Sequence, residues 1–274
     1  MEFLIANGKV AKTDEINLNQ ILTESNFRLS QKIWYGYGGI PFFSENIEQI
    51  KKQAEALKLP FPKEFENPGE LFRITKRMLN KNKFYRSGYV YFQLFRNKNK
   101  VQTLITASAF QEFDFPFAEA GLLATFSIQK KLSQNPFNRF PFFNEMLWQT
   151  GLSEIHHSTL QQVIFLNENH SVCECAHANI FLIKENELIT PSLATGCYED
   201  VLRSFVLKSA KLEGLNVSEI TRIEESKIFE MDEIFLASEN AGIQWILGIG
   251  NKRFLHYFSK KIYEVLKDKI KLNS

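Results

Sequence analysis

The stretch from Val163 to Thr190 limits the fold more than any other part of this chain. Val163 to Leu166 is a short apolar run, Asn167-Glu168-Asn169-His170 is a polar turn, and Ser171 to Glu174 is a second run. Asn179 to Ile183 and Leu188-Ile189-Thr190 follow, with a polar turn at Glu185-Asn186 between them. Short apolar runs bounded by turn residues predict strands. Ile234 to Ala237 predicts another strand of the buried kind. Helices alternate with these strands. One is predicted from about Val201 to Leu212, with Gly214 as its stop. A last one is predicted to be capped by Ser259 and to turn Ile262, Val265, Leu266 and Ile270 inward.

The first hundred or so residues read as mixed α/β. Ile47, Ile50, Ala54 and Leu57 recur at helical spacing and predict an amphipathic helix that ends before Pro60 and Pro62. Asn67-Pro68-Gly69-Glu70 has the form of a helix start: a capping Asn, Pro in the first turn and Glu three residues after the cap. Leu71, Ile74, Met78 and Leu79 are then expected to face inward. Tyr89 to Phe95 reads as an aromatic-rich strand. The periodicity breaks over 107–120. The predicted organisation is an N-terminal α/β domain over 1–110, a linker over 111–120 and a C-terminal α/β domain over 121–274.

Composition excludes some functions. The 33 basic and 31 acidic residues leave a formal charge of +2, so charge gives no argument for nucleic acid or an anionic membrane as partner. No apolar run reaches the ~18 residues of a membrane span. The N-terminus lacks the basic region and cleavage site of a signal peptide, and three cysteines in 274 residues fit a reducing cytoplasm. Cys173 and Cys175 have alternate spacing, so both thiols are expected on one side of a strand. His170 and His177 are the candidates to complete a metal site with them; the other reading is buried structural thiols. His156-His157 reads as a solvated pair near a helix end, and Trp245 as core rather than a stacking platform. No nucleophile elbow, P-loop or dinucleotide fingerprint is present.

The run Glu174-Cys-Ala-His-Ala-Asn179-Ile180-Phe181, followed by Thr190-Pro191, resembles the core signature of fold-type IV pyridoxal-phosphate (PLP) enzymes. That family includes branched-chain aminotransferases, D-amino-acid aminotransferases and aminodeoxychorismate lyases. Asn135 to Asn144, Gly196 to Arg203 and Asp232 to Glu239 resemble further family segments in the same order. The resemblance implies a mixed α/β, two-domain architecture with PLP held between the domains, usually in a homodimer.

Position by position, it also implies a degraded site. The family's lysine forms an imine with PLP and moves the substrate's α-proton, which requires a primary amine. Its position here reads Pro141, a residue suited to the first turn of a helix over Phe142 to Gln149. Phe140 and Phe142 are no substitute, Lys130 and Lys131 lie well upstream, and a replacement lysine would have to arrive from elsewhere in space, as with Lys32. Glu174 takes the place of the carboxylate that holds the pyridine nitrogen; by itself it also reads as an ordinary strand Glu. The phosphate arginine is matched by neutral Gln49, the glycine before the second-domain helix by Asp200, and the later phosphate turn by Ala237-Ser238-Glu239. Opposed like charges about 4 Å apart cost about 1 kcal/mol in water and ~4 kcal/mol at an effective dielectric of 20. Asp200 also reads as a helix N-cap, which would take the N–H groups a phosphate needs.

The resemblance therefore implies a PLP-family protein in which cofactor binding is weak or absent: a pseudoenzyme, cytoplasmic and homodimeric, with a cleft for an unknown small molecule or an assembly role. The alternative is an active aminotransferase or aminodeoxychorismate lyase that uses a non-standard lysine or pyridoxamine phosphate. Glu174, Asn179 and Arg203 are its residual support.

Overall fold

The computed structural model describes residues 1–98 and 100–273. The chain divides into two compact units, one of Met1–Phe115 with the residues from Ile270 onward, the other of Pro116–Lys269.

In the first unit β1 (Phe3–Ala6), β2 (Lys9–Lys12), α1 (Leu18–Glu24), β3 (Phe27–Tyr35), α2 (Phe43–Ala56), α3 (Pro68–Lys81), β4 (Ser87–Asn97) and β5 (Lys100–Phe110) follow one another. The strands form an antiparallel sheet in the order β2-β1-β5-β4-β3. Helix α2 occupies the predicted amphipathic stretch, and α3 starts as predicted: Asn67 Oδ1 accepts from the Glu70 N–H at 3.1 Å, with Pro68 in the first turn. One inward residue of α3 differs. Thr75 is fully buried and Ile74 only partly so, because the Thr75 hydroxyl donates to the Leu71 carbonyl and carries no unpaired polar group into the core. Residues 107–110, read as part of the break in periodicity, belong to β5, where Ala107 to Phe110 pair with Val90 to Ser87.

The second unit contains β6 (Leu122–Lys131), α4 (Pro141–Ser153), β7 (Gln162–Asn167), β8 (Val172–Cys175), β9 (Asn179–Lys184), β10 (Glu187–Pro191), α5 (Val201–Leu212), β11 (Asn216–Ile220), α6 (Glu225–Ile228), β12 (Glu233–Ser238), β13 (Gly242–Ile249), β14 (Lys252–Arg253) and α7 (Tyr257–Leu272) as far as Lys269. Its sheet runs β11-β10-β9-β12-β13-β6-β7-β8, with β14 paired to β13. Two parallel pairs fix the helices. β6 and β7 are parallel neighbours joined through α4, and β10 and β11 are parallel neighbours joined through α5. A parallel pair needs such a crossover, so both helices are held against the sheet by topology.

Two irregularities in this sheet determine what faces inward. Between Phe126 and Lys130 strand β6 carries three residues against the single Phe165 of β7. Glu154, just past the end of α4, accepts from Ser127 Oγ at 3.1 Å and the Ile128 N–H at 3.0 Å and so holds this bulge. Beyond it Lys130 is exposed and Lys131, paired with Asn167, is buried. A bulge re-aims side chains in this way. The second irregularity lies between Phe165 and Leu166, opposite Cys173. It overturns the expectation that Cys173 and Cys175 share a side by simple alternation. Val172 and Cys175 both join the large apolar core, while the Cys173 thiol donates to the Thr195 carbonyl at 3.1 Å.

Ser259 does not cap α7. The carboxylate of Glu233 on β12 receives the N–H groups of Tyr257, Phe258 and Ser259 at 2.8–3.2 Å, so a strand residue supplies the charge that the helix N-terminus favours. Val265 is only partly buried, and Tyr263 shares the inward face with Ile262, Leu266 and Ile270. Among the described residues no helix is long and apolar enough to cross a membrane.

Helix α4 lies close to β7 because Gly151 has no side chain. A Cβ there would stand 2.5 Å from Phe165 Cζ and 3.2 Å from Ser127 Oγ. Gly151→Ala would raise intrinsic helix propensity by about 1 kcal/mol. It is nevertheless expected to lower stability by about 1–3 kcal/mol, through overpacking against Phe165. Urea denaturation of the two proteins measures the sign.

Candidate functional site

Glu174 is fully buried on β8, so its charge needs partners supplied by the protein. Three converge on it. Lys131, at the end of β6, places Nζ 2.7 Å from Oε2, and the two side chains are 1% and 0% exposed. The Tyr198 backbone N–H donates to the same oxygen at 2.6 Å. Trp148, on α4, donates its indole N–H to Oε1 at 2.7 Å. A carboxylate has about four acceptor positions, and three charged or neutral donors now hold this one.

Each donor is positioned by local structure. Asn144, Trp148 and Gly151 are the buried residues of α4, at helical spacing on its inward face. The Asn144 amide donates to the carbonyls of Asn138 and Phe140 and ties down the segment before the helix. Pro141 sits in the first turn of α4 after Phe140, so that turn presents no amine. Trp148 packs edge-on to Tyr198 at 4.9 Å, and the His177 ring lies tilted to it at 4.7 Å. Val163, Phe165, Ile155 and Ala176 complete the apolar cluster around the two rings.

Tyr198 links Glu174 to Asp200. Its phenol lies 2.9 Å from the His177 carbonyl and 3.1 Å from Asp200 Oδ2, sharing one proton between them. Burial, with Asp200 and Glu174 nearby, pushes the phenol well above its ordinary pKa. Asp200 is the N-cap of α5: Oδ1 accepts from the Leu202 N–H at 2.8 Å and from the Glu239 N–H at 2.9 Å. Burial raises the Asp200 carboxyl to about 6, against these hydrogen bonds, which favour the charged form. Asn179 braces the same turn, donating to the Tyr198 carbonyl at 2.7 Å and accepting from the Asp200 N–H at 3.2 Å. Arg203 is paired with Glu219 at 2.7 Å and donates to Thr190 Oγ1 and the Pro191 carbonyl.

The structure thus brings Glu174, Asp200 and Glu239 into one buried network through Tyr198. Ser238, at the end of β12, accepts from the Ala241 N–H at 3.1 Å and shapes the turn that follows. Gln49 lies in the other unit, buried on α2, where it accepts from the Gln31 amide at 2.8 Å; Asn46 and Gln53 join that amide cluster. Lys32, considered from the sequence as a substitute amine, sits over the Tyr89 ring at 3.6 Å in the first unit. The lysine that meets Glu174 is Lys131, set aside from the sequence for its distance along the chain. The Lys130-Lys131 pair implied only that one of the two faces inward, since adjacent strand residues point to opposite faces; which one, and toward what, depends on the bulge before it. Trp148 was not singled out either; its place four residues after the buried Asn144 is the signal that could have found it. Tyr198 gave no signal, because its backbone N–H is the contacting group.

The three thiols are buried, and burial raises each above its ordinary pKa, Cys197 to about 11. They are therefore inert thiols rather than nucleophiles. Among the described residues no group of three or more His, Cys, Asp and Glu side chains is arranged to hold a metal ion. His156 and His157 stand exposed beyond α4, edge-on to one another at 4.6 Å. Trp245 is 8% exposed and stacks on His256 at 4.2 Å.

Two predictions follow from this network. Lys131→Met leaves the Glu174 charge buried without its partner and is expected to cost about 3–5 kcal/mol. Combining it with Glu174→Leu should recover most of that loss, as read by denaturant titration of the single and double variants. The second concerns pH. The folded Asp200 carboxyl binds a proton more readily than the unfolded one. Its contribution therefore favours folding below the ordinary aspartate pKa and is lost as pH rises to about 6. Asp200→Asn, which still caps α5, should remove a decline of at most about 3 kcal/mol between pH 4 and 6, measured as the pH dependence of unfolding against the native protein.

The frame around this network has relatives. The model of the family described as amino-transferase class IV matches residues 33–249. A probable branched-chain-amino-acid aminotransferase of Thermotoga maritima is 27% identical over 240 residues, covering 86% of this chain and 83% of that protein. Another, from Aquifex aeolicus, is 26% identical over 92% of this chain and 86% of its own length. In structure the chain is similar to the branched-chain amino acid aminotransferase of Thermobaculum terrenum, solved in its PLP form. The TM-score is 0.86 at 16% identity, over 100% of this chain and 95% of that one. At that identity the likeness speaks for the fold alone, and it is a close one: the mixed α/β architecture is that of fold-type IV branched-chain aminotransferases. With the family model spanning most of its length, this chain belongs to the class IV aminotransferases.

Proposed function

We propose that this protein is a class IV aminotransferase homologue that does not carry PLP chemistry. One observation carries the reading. The Glu174 carboxylate is already held by Lys131, Trp148 and the Tyr198 backbone, and the first turn of α4, at Phe140-Pro141, has no amine. PLP is the family cofactor, and its pyridine nitrogen needs an acceptor with room for a ring beside it. The residues around Glu174 do not fit such a ring as they stand, because an indole fills the Oε1 side and a buried ammonium lies on Oε2. No catalytic step is assigned through the cofactor. The N–H groups that would serve a phosphate point the same way: those of Leu202 and Glu239 donate to Asp200 instead.

On this reading the protein is a cytoplasmic homodimer whose retained frame binds another small molecule or serves assembly. Two open cavities on the second unit, of about 530 and 310 Å³, are lined by residues other than Glu174, Asp200 and Glu239. A second reading has one specific support. Lys131 is a buried primary amine beside Glu174, and an active enzyme with a non-standard lysine would have it as the first candidate.

The test is borohydride reduction of the purified protein after incubation with PLP, followed by peptide mass spectrometry and assay against a broad amino-acid panel. The expected result is no modified lysine and no transamination. A reduced adduct on Lys131 would establish the second reading instead.

A further inference from the structure

The larger of the two cavities, about 530 Å³, lies at the start of α7 beside the end of α5, and none of its lining residues belongs to the Glu174 network. Its walls are set by the chain beneath them. Phe254 enters the core, the Leu255 N–H donates to the Asp232 carbonyl at 2.9 Å, and Glu233 receives the N–H groups of Tyr257, Phe258 and Ser259. His256 stacks on Trp245 at 4.2 Å. Pinned in this way, Leu255 and Tyr257 stand 65% and 60% exposed at the cavity. With Val265 they give it an apolar lining that the fold does not bury, in a pocket of ligand size.

The charges around it are not equivalent. Glu264 pairs with Lys267 at 2.8 Å. Lys261 lies over the Tyr257 ring at 4.4 Å, and Tyr257 and Glu213 hold its ammonium above its ordinary pKa. The Lys260 ammonium has no ion-pair, hydrogen-bond or ring partner among the described residues. The N–H groups at the start of α7 are occupied by Glu233, so Lys260 is the cation that the cavity offers a ligand.

We propose that this cavity is a binding site for a monocarboxylate with an apolar body, of the alkanoate class. The body lies against Leu255, Tyr257 and Val265, and the carboxylate meets Lys260. A single free cation suits a monoanion over a phosphate or a zwitterion, because Glu213 and Glu264 are already matched by lysines of the chain. The site uses no residue around Glu174 and goes beyond the functional reading above.

Calorimetry of the whole protein with decanoate, kept below its micelle concentration, is expected to show one-to-one binding. Octanoate should bind on the order of tenfold more weakly, because it buries two fewer methylenes. Lys260→Gln should weaken decanoate about two- to fivefold and reduce its salt dependence, while leaving the uncharged analogue decanol unaffected. Leu255→Glu alters an exposed side chain and keeps the backbone contact to Asp232; it should abolish decanoate binding with the melting temperature unchanged. No binding of decanoate, undiminished binding to Leu255→Glu, or equal effects of Lys260→Gln on decanol and decanoate would overturn the proposal. So would a dimer of the native protein that Leu255→Glu dissociates in analytical ultracentrifugation, since the face would then belong to a second copy. A PLP adduct on Lys131 would overturn the functional reading alone and leave this site untouched.

Discussion

The ion pair of Lys131 and Glu174 is the constraint on which the second unit depends. Two opposite charges lie 2.7 Å apart with almost no exposure. Removing such charges from water costs several kcal/mol for each ion, and their attraction offsets that only when every other polar position is also satisfied. The fold meets this condition by bringing donors from three separate places. The β6 bulge held by Glu154 turns Lys131 inward. The absence of a side chain at Gly151 lets α4 seat Trp148. The turn before α5 presents the Tyr198 N–H.

Asp200 repeats the same logic at the helix N-terminus. Its carboxylate takes N–H groups from α5 and from the turn after β12, where an external anion would otherwise be favoured. Tyr198 joins the two buried carboxylates, with its backbone on Glu174 and its phenol on Asp200. Side chains of the protein thus stand at both ends of one continuous network. On the reading proposed above, a chain that keeps the family frame and satisfies these positions internally needs no bound group there.

Much of this was legible beforehand. The strands from Val163 to Pro191, the start of α3 at Asn67-Pro68, the extent of α5 and the cap at Asp200 rest on short-range physics: apolar runs, turn residues and capping hydrogen bonds. The position of Glu174 in a family signature was equally plain. What filled the space around it was not. Lys131 reaches Glu174 only because three residues bulge out of β6, and bulges leave no periodic trace. The second bulge undid the alternation expected for Cys173 and Cys175. The cap of α7 is a strand residue, Glu233, distant in sequence from the helix it serves. In each case a long-range contact decided the outcome, and no local pattern encodes one.

The most direct measurement is solution NMR of the Trp148 indole N–H, assigned by comparison with Trp148→Phe and followed as PLP is added. A hydrogen bond to a buried carboxylate predicts a downfield resonance that exchanges slowly with solvent and does not move during the titration. An indole N–H that exchanges freely, or one displaced by PLP, would contradict the account.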